Sequence, residues 1–410
     1  MMSTACGSSD PTDAGPGDGD GGPGNGGNEG GTMDTDAGPD SGGMPMDYPW
    51  PAVDGKGGWL TGPTPNDAGN GSVDCFDVTY SSQAPTDEEA LVIDGQYCRP
   101  KAPGKYPILM VNHGIFAYRG SMLASFAAMG FAAFESGYRG DGLPDNTEDG
   151  EITLCLDEAF DVRRMLAIVE ELSDDSTIDF VDMDQIAMVG FSHGGCITMR
   201  AIAAEYAFHG EGRIDAAVDI FGPSDIEAVY RLWKKNYANI LGSGQSCDNI
   251  LLKENPFCVQ MRKGITLTET IMGGTPDEVP EEYARHASLA VAEEIEKVDT
   301  PILIVHGVKD VIVPVSDSCR LVGELSGFDA WHLNAGSNVV TSDPAGCGEL
   351  GIAWKDGTAP TTTFASDRTL IIYDDATHDV NPVNIIVFSA QQGPQLLARA
   401  KDFLTQHMLK

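Results

Sequence analysis

Short, uninterrupted apolar runs recur along the chain: Tyr106–Val111 (YPILMV), FAAFESGY from Phe131, Gln185–Phe191 (QIAMVGF), Ile214–Phe221, Pro301–His306 (PILIVH) and Thr369–Tyr373 (TLIIY). Their length and lack of alternation predict strands buried on both faces. Segments of helical period lie between them. SMLASFAAMG closes on Gly130, and Glu151–Leu172 carries a stripe of Leu154, Phe160, Met165, Ile168 and Val169. Further helices are expected over His193–Ala207 and Pro394–Met408, and two short strands over Val73–Tyr80 and Ala90–Tyr97. Strands alternating with helices predict an α/β protein with a mostly parallel central sheet and helices on both faces. In such a sheet the chemistry lies on loops beyond the carboxyl ends of strands.

Three segments break the alternation. Residues 1–56 are dominated by Gly, Asp, Pro, Ser and Asn; the first lysine is Lys56, and no Leu, Ile or Phe precedes Leu60. That composition cannot bury enough apolar surface to offset its ordering entropy, so a disordered tether is expected, with residues 57–410 forming the folded domain. The Asp/Gly spacing of the tether fits no calcium loop. Residues 223–298, charged and aromatic (VYRLWKKNY), are expected to form a helical cap insertion. Within it Tyr230 and Trp233 serve either as pocket walls or as cap core. Residues 327–367 read as a loop-rich insertion containing Trp331, Cys347 and Trp354.

The formal net charge is −37, and the tether supplies only ten of the 62 acids, so the folded part is itself anionic. Such a surface repels phosphate backbones and anionic membranes, which argues against nucleic-acid partners. No apolar run approaches the ~20 residues of a membrane span. Ala5–Cys6 ahead of a polar leash resembles the mature end of a bacterial lipoprotein, which makes Cys6 a candidate lipidation site. Cys6 aside, eight cysteines remain, an even count that fits an oxidising compartment. Proximity pairs Cys75 with Cys98, Cys247 with Cys258 and Cys319 with Cys347, and leaves Cys155 and Cys196 as free core residues on helices. The chain is thus expected outside the cytoplasm, secreted or lipid-anchored at a bacterial surface. No CxxC or Cys/His cluster has zinc spacing, and neither a metal nor an organic cofactor is implied.

Candidate chemistry centres on GFSHGG, Gly190–Gly195. QIAMVGF before it and CITMRAIAAEYA after it put Ser192 on a strand-to-helix turn, where flanking glycines allow close approach and the helix N-terminus favours charge on the serine oxygen. His193 is adjacent, but neighbouring side chains on a tight turn diverge, so it is rejected as the base. Its backbone N–H is instead expected to donate to an oxyanion. His378, in DDATHDV beyond the last strand, is the base that fits. Asp310, in PILIVHGVKDVIVP, is the acid best placed, with Asp317, Asp374 and Asp375 as competitors. The second oxyanion N–H is expected from VNHGIFAYRG, with Ile115 ahead of Phe116; His113 and Phe116 either shape the site or support the loop.

DQIAMVGFSHGG, PILIVHGVKDVIVP, ATH near the end, GYRGDG at Gly137–Gly142 and GGTPDEVPEEYARHASL at Gly273–Leu289 together resemble the catalytic domain of the prolyl oligopeptidase family, within the α/β hydrolases. The resemblance implies an α/β-hydrolase fold, Ser192 as nucleophile, Asp310 as acid and His378 as base. It departs in having no room for the family's β-propeller and in placing His113 where several members use a tyrosine. The expected function is therefore two-step acyl transfer on a small ester or short peptide, with a slight preference for esters. A prolyl-oligopeptidase-like peptidase and a silent surface binding protein are the alternatives.

Overall fold

The computed structural model describes residues 52–115, 122–140, 149–174, 178–210, 213–242, 256–334, 338–340, 342–344, 347–378 and 393–409. Cys6, Phe116, Cys247 and nearly all of the expected tether lie outside them. The described part of the tether is anchored: Asp54 and the Lys56 carbonyl both bind the Arg164 guanidinium.

Ten described strands form one sheet. In chain order they are β1 (Trp59–Pro65), β2 (Val73–Ser82), β3 (Leu91–Pro100), β4 (Tyr106–Asn112), β5 (Ala132–Ser136), β6 (Val181–Phe191), β7 (Ala216–Ile220), β8 (Ile302–Gly307), β9 (Phe328–Leu333) and β10 (Arg368–Tyr373). Their spatial order is β1-β2-β3-β5-β4-β6-β7-β8-β10-β9. β1, β2, β3 and β5 pair antiparallel, and every pair from β5 to β9 is parallel.

The apolar runs are strands because both their faces are covered. Ile108 and Met110 of β4, Ile186 and Met188 of β6, and Ile302 and Ile304 of β8 pack into one core, against α2 (Asp157–Asp174) and α3 (His193–His209). The intervening Leu109, Val111, Ala187, Val189, Leu303 and Val305 point the other way, onto α1 (Leu123–Ala127) and α9 (Gly393–Met408). The two-residue period of the strand thus divides one apolar run between two cores. The described residues of the 223–298 insertion are mainly helical: α4 (Ile226–Gly242), α5 (Pro256–Met272), α6 (Pro280–His286), a 3-10 turn (Ser288–Val291) and α7 (Ala292–Glu296).

Four expectations are corrected. The helix read from Glu151 begins at Asp157, because Leu154 and Cys155 hold left-handed backbone (φ 47° and 77°) that no helix accommodates. Cys155 and Cys196 are not free but disulfide-bonded to each other, since that irregular turn brings Cys155 onto the first turn of α3. The 327–367 insertion contains edge strand β9, whose polar Asp329 and His332 masked it in the sequence. Strand β1, exposed and proline-bearing, was not anticipated; proline is tolerated there because an edge strand need not donate on both sides. Cys75–Cys98, facing each other across β2 and β3, and Cys319–Cys347 pair as expected.

The arginine of GYRGDG is structural. Arg139 is buried; its side chain makes two bonds to Asp161 of α2, at 2.8 and 3.0 Å, and one to Asp87 at 2.7 Å. This tie secures the loop after β5 to the helix that follows.

Candidate active site

Ser192 links β6 to α3 at φ 54° and ψ −124°, a conformation costly for any residue with a side chain. The turn persists because its surroundings demand it. The Ser192 N–H donates to Ile220 O at 3.0 Å, and a Cβ at Gly194 would lie 2.0 Å from the Asn112 carbonyl oxygen. Only glycine lets the helix start that close to β4. The strained turn lifts the serine hydroxyl beyond the sheet edge.

Two other strand ends bring partners to it. His378, beyond β10, has Nε2 2.7 Å from Ser192 Oγ and Nδ1 2.7 Å from Asp310 Oδ2. Asp310, beyond β8, is buried, and its Oδ1 accepts the N–H groups of Ile312 at 2.8 Å and Val313 at 2.9 Å. Burial pushes the Asp310 carboxyl up. The charge of a protonated His378 and hydrogen bonds from His306 and His378 outweigh that and hold it well below the ordinary carboxylate range. The structure therefore brings together residues 192, 310 and 378, which are distant in sequence.

The competing acids are engaged elsewhere. Asp317 is buried and accepts the backbone N–H groups of Ser224 and Asp225, each at 3.1 Å; burial raises its pKa. Asp374 pairs with His332 at 2.6 Å, and Asp375 with Lys309.

His193 opens α3, directly after Ser192. Its Nε2 accepts the Cys155 N–H at 3.2 Å, and burial lowers its pKa to about 4. A neutral imidazole committed to that contact braces the disulfide segment. His113 is buried and stacks on Tyr138, ring centroids 4.2 Å apart, while its Nδ1 lies 3.0 Å from Gly114 O. Gly114 lies against Ser192: a Cβ there would fall 3.2 Å from Ser192 Cβ. Ile115 follows and packs against the helical insertion.

Within the insertion Tyr230 is cap core, packed with Ile226, Ile265, Met272 and Tyr283. Trp233 faces the acid loop and donates its indole N–H to Ile312 O at 2.6 Å. Two residues around the site escaped the sequence reading. The Phe221 ring, after β7, lies 4.4 Å from the His378 ring. His306 places Nε2 3.2 Å from Asp310 Oδ2, and its only sequence signal is the four-residue spacing to that aspartate. Among the described residues, no group of three or more His, Cys, Asp or Glu could hold a metal ion. No described helix is long and apolar enough to cross a membrane.

The BD-FAE family model matches residues 117–325, about half of the chain. The chain belongs to the BD-FAE family. This family member is also 27% identical over 254 residues to a Bacillus subtilis protein named uncharacterized peptidase YtmA, covering 60% of this chain and 80% of that one. Among solved structures it is similar to an acylaminoacyl peptidase from Pyrococcus horikoshii, with a TM-score of 0.50 at 15% identity; the match covers 86% of this chain but 42% of the peptidase. An esterase of Pyrococcus furiosus is similar at a TM-score of 0.47 and 14% identity, covering 82% of this chain and 91% of the esterase. The BD-FAE chain has the α/β-hydrolase fold, as its mostly parallel sheet and flanking helices show.

Proposed function

We propose that the chain performs acyl transfer through Ser192, His378 and Asp310. The observation that supports this reading is the continuous hydrogen-bonded path from Ser192 Oγ through His378 to Asp310, with both contacts at 2.7 Å. Ser192 Oγ attacks a substrate carbonyl while His378 Nε2 takes its proton, and Asp310 stabilises the imidazolium. The oxyanion that forms is received by the backbone N–H groups of His193 and Ile115. His378 returns the proton to the leaving group as the acyl–Ser192 ester forms. It then deprotonates a water molecule, whose attack releases the acid and restores Ser192.

A carboxylic ester is the preferred substrate, since an alcohol leaves more readily than an amine. A short-peptide substrate is the second reading, favoured by the 27% identity to a protein named as a peptidase. The insertion 223–298 caps the pocket, and residues 1–56 act as a leash on a secreted or Cys6-lipidated protein; the three disulfides among the described residues suit that oxidising location.

A fluorophosphonate probe tests the site. Labelling is expected for the full chain and lost in Ser192→Ala; a folded native protein that does not react would instead favour a silent binding protein. Comparing kcat/KM for short p-nitrophenyl esters with that for aminoacyl and prolyl anilides then separates esterase from peptidase.

A further inference from the structure

His306 is the penultimate residue of β8 and completely buried. Both of its ring nitrogens are engaged. Nδ1 lies 2.7 Å from Ser318 Oγ on α8 (Val315–Glu324), and Nε2 lies 3.0 Å from Val313 O. Nε2 is also 3.2 Å from Asp310 Oδ2, the oxygen that His378 uses. A carbonyl and a carboxylate, both acceptors, face Nε2, so that nitrogen carries the hydrogen and Nδ1 accepts from the Ser318 hydroxyl.

We propose that His306 is a positioning residue for the catalytic acid, its Nε2–H sharing Asp310 Oδ2 with the His378 imidazole. The Val313 carbonyl takes the straighter bond, and the carboxylate feels the same N–H dipole from the side. With the Ile312 and Val313 N–H groups on Oδ1, the carboxylate is held at both oxygens and cannot rotate away from His378. The arrangement also divides the carboxylate charge between two imidazoles, which tempers how strongly Asp310 favours a protonated His378.

The other groups around His306 are accounted for. Asp219 of β7 interacts with it electrostatically; burial raises the Asp219 pKa to about 6, against the Gly222 N–H and His306, which lower it. From α8, Asp317 directs its carboxylate to Ser224 and Asp225 instead. On the β7 side the Phe221 ring, apolar, stands 6.5 Å away, edge to face.

This inference rests on the proposed roles of Ser192, His378 and Asp310, and the experiment separates the two. The pH dependence of kcat/KM is measured on a p-nitrophenyl ester for the full chain, His306→Phe, His306→Gln and Ser318→Ala, with fluorophosphonate labelling of each. Phe fills the volume without a donor, whereas Gln restores an N–H that can reach Oδ2. In His306→Phe the carboxylate charge falls to His378 alone, so the acidic limb is expected to move up by about half a unit or more. That corresponds to roughly threefold lower activity at pH values below the limb. His306→Gln should return the limb towards its native position. Ser318→Ala, which frees the ring to exchange tautomers, should shift it the same way by less, and carries the test if His306→Phe does not fold. A limb that stays in place in folded His306→Phe, or in Ser318→Ala where that variant carries the test, overturns the positioning role and leaves the triad standing. A native protein that does not label overturns the triad, and this inference with it.

Discussion

The indole of Trp233, on helix α4 of the insertion, donates to the carbonyl of Ile312, whose own N–H donates to the Asp310 carboxylate. One peptide segment therefore joins the helical insertion to Asp310, the proposed acid, and Asn236 adds a longer contact of 3.3 Å to Val311 O. Trp233→Phe keeps most of the packing on Gly264 and removes only the donor. The expected result is a stability loss of about 1 kcal/mol together with a several-fold fall in kcat/KM on esters. Urea unfolding and steady-state kinetics measure the two. Unchanged kinetics would mean that the acid loop stands without the insertion.

Gly114 faces Ser192, the proposed nucleophile. A methyl group there would lie 3.2 Å from Ser192 Cβ and 3.3 Å from Phe191 O, tight contacts that push the loop bearing Ile115 away from the serine. Gly114→Ala should fold, because its backbone is not left-handed. Displacing an oxyanion donor by a fraction of an ångström is expected to lower kcat by about tenfold or more, read by burst and steady-state phases on p-nitrophenyl acetate. Wild-type kcat in this variant would argue that the oxyanion donor lies elsewhere.

The Cys155–Cys196 disulfide ties the left-handed turn at Leu154 and Cys155 to the helix that begins behind Ser192. Replacing both cysteines by alanine is expected to cost about 2–5 kcal/mol. Because the Cys155 N–H also holds the His193 ring, slower fluorophosphonate labelling should accompany the lower Tm. A variant that lost stability but labelled at the native rate would show that the turn keeps its shape without the covalent link.

As pH falls, two buried histidines should destabilise this protein above the ordinary carboxylate range, opposed in part by Asp219, whose pKa of about 6 lets the folded chain take up a proton there. Burial lowers both His193 and His286 to about 4, whereas an unfolded histidine takes up its proton near pH 6.5. Between those values the unfolded chain binds more protons than the folded one, so stability present above pH 6.5 is lost as pH falls towards 4. Each histidine accounts for roughly 3 kcal/mol across that window. Asp310, with a depressed pKa, withdraws its own contribution at lower pH still. Urea midpoints measured from pH 7.5 to 4.5 should fall steeply, and His286→Gln should flatten the slope by about one proton. A native slope in that variant would mean that His286 is protonated in the fold.

The alternation of strands and helices was legible because a strand covered on both faces must be apolar at every position, as in Ile108–Val111 and Ile302–Val305. That Ser192, Asp310 and His378 come together was legible for a related reason: each follows such a strand, and strand ends are countable in the sequence. Edge strands β1 and β9 were not: β1 is exposed and carries Thr61 and Thr64, while β9 holds a half-buried Asp329 and a buried His332 whose polarity is met by Asp374. The start of α2 was misread because Leu154 fits the helical stripe, and left-handed backbone at a leucine carries no sequence signature.

The sequence by itself determined the order of elements, the class of the sheet and which side chains could do chemistry, because these follow from local polarity and spacing along the chain. Tertiary structure alone decided that Cys155 meets Cys196, that Trp233 grips the acid loop, and that His306 stands beside the carboxylate used by His378. Each is a contact between elements, set by how helices seat on the sheet at ångström precision, and residue type places no such constraint in advance.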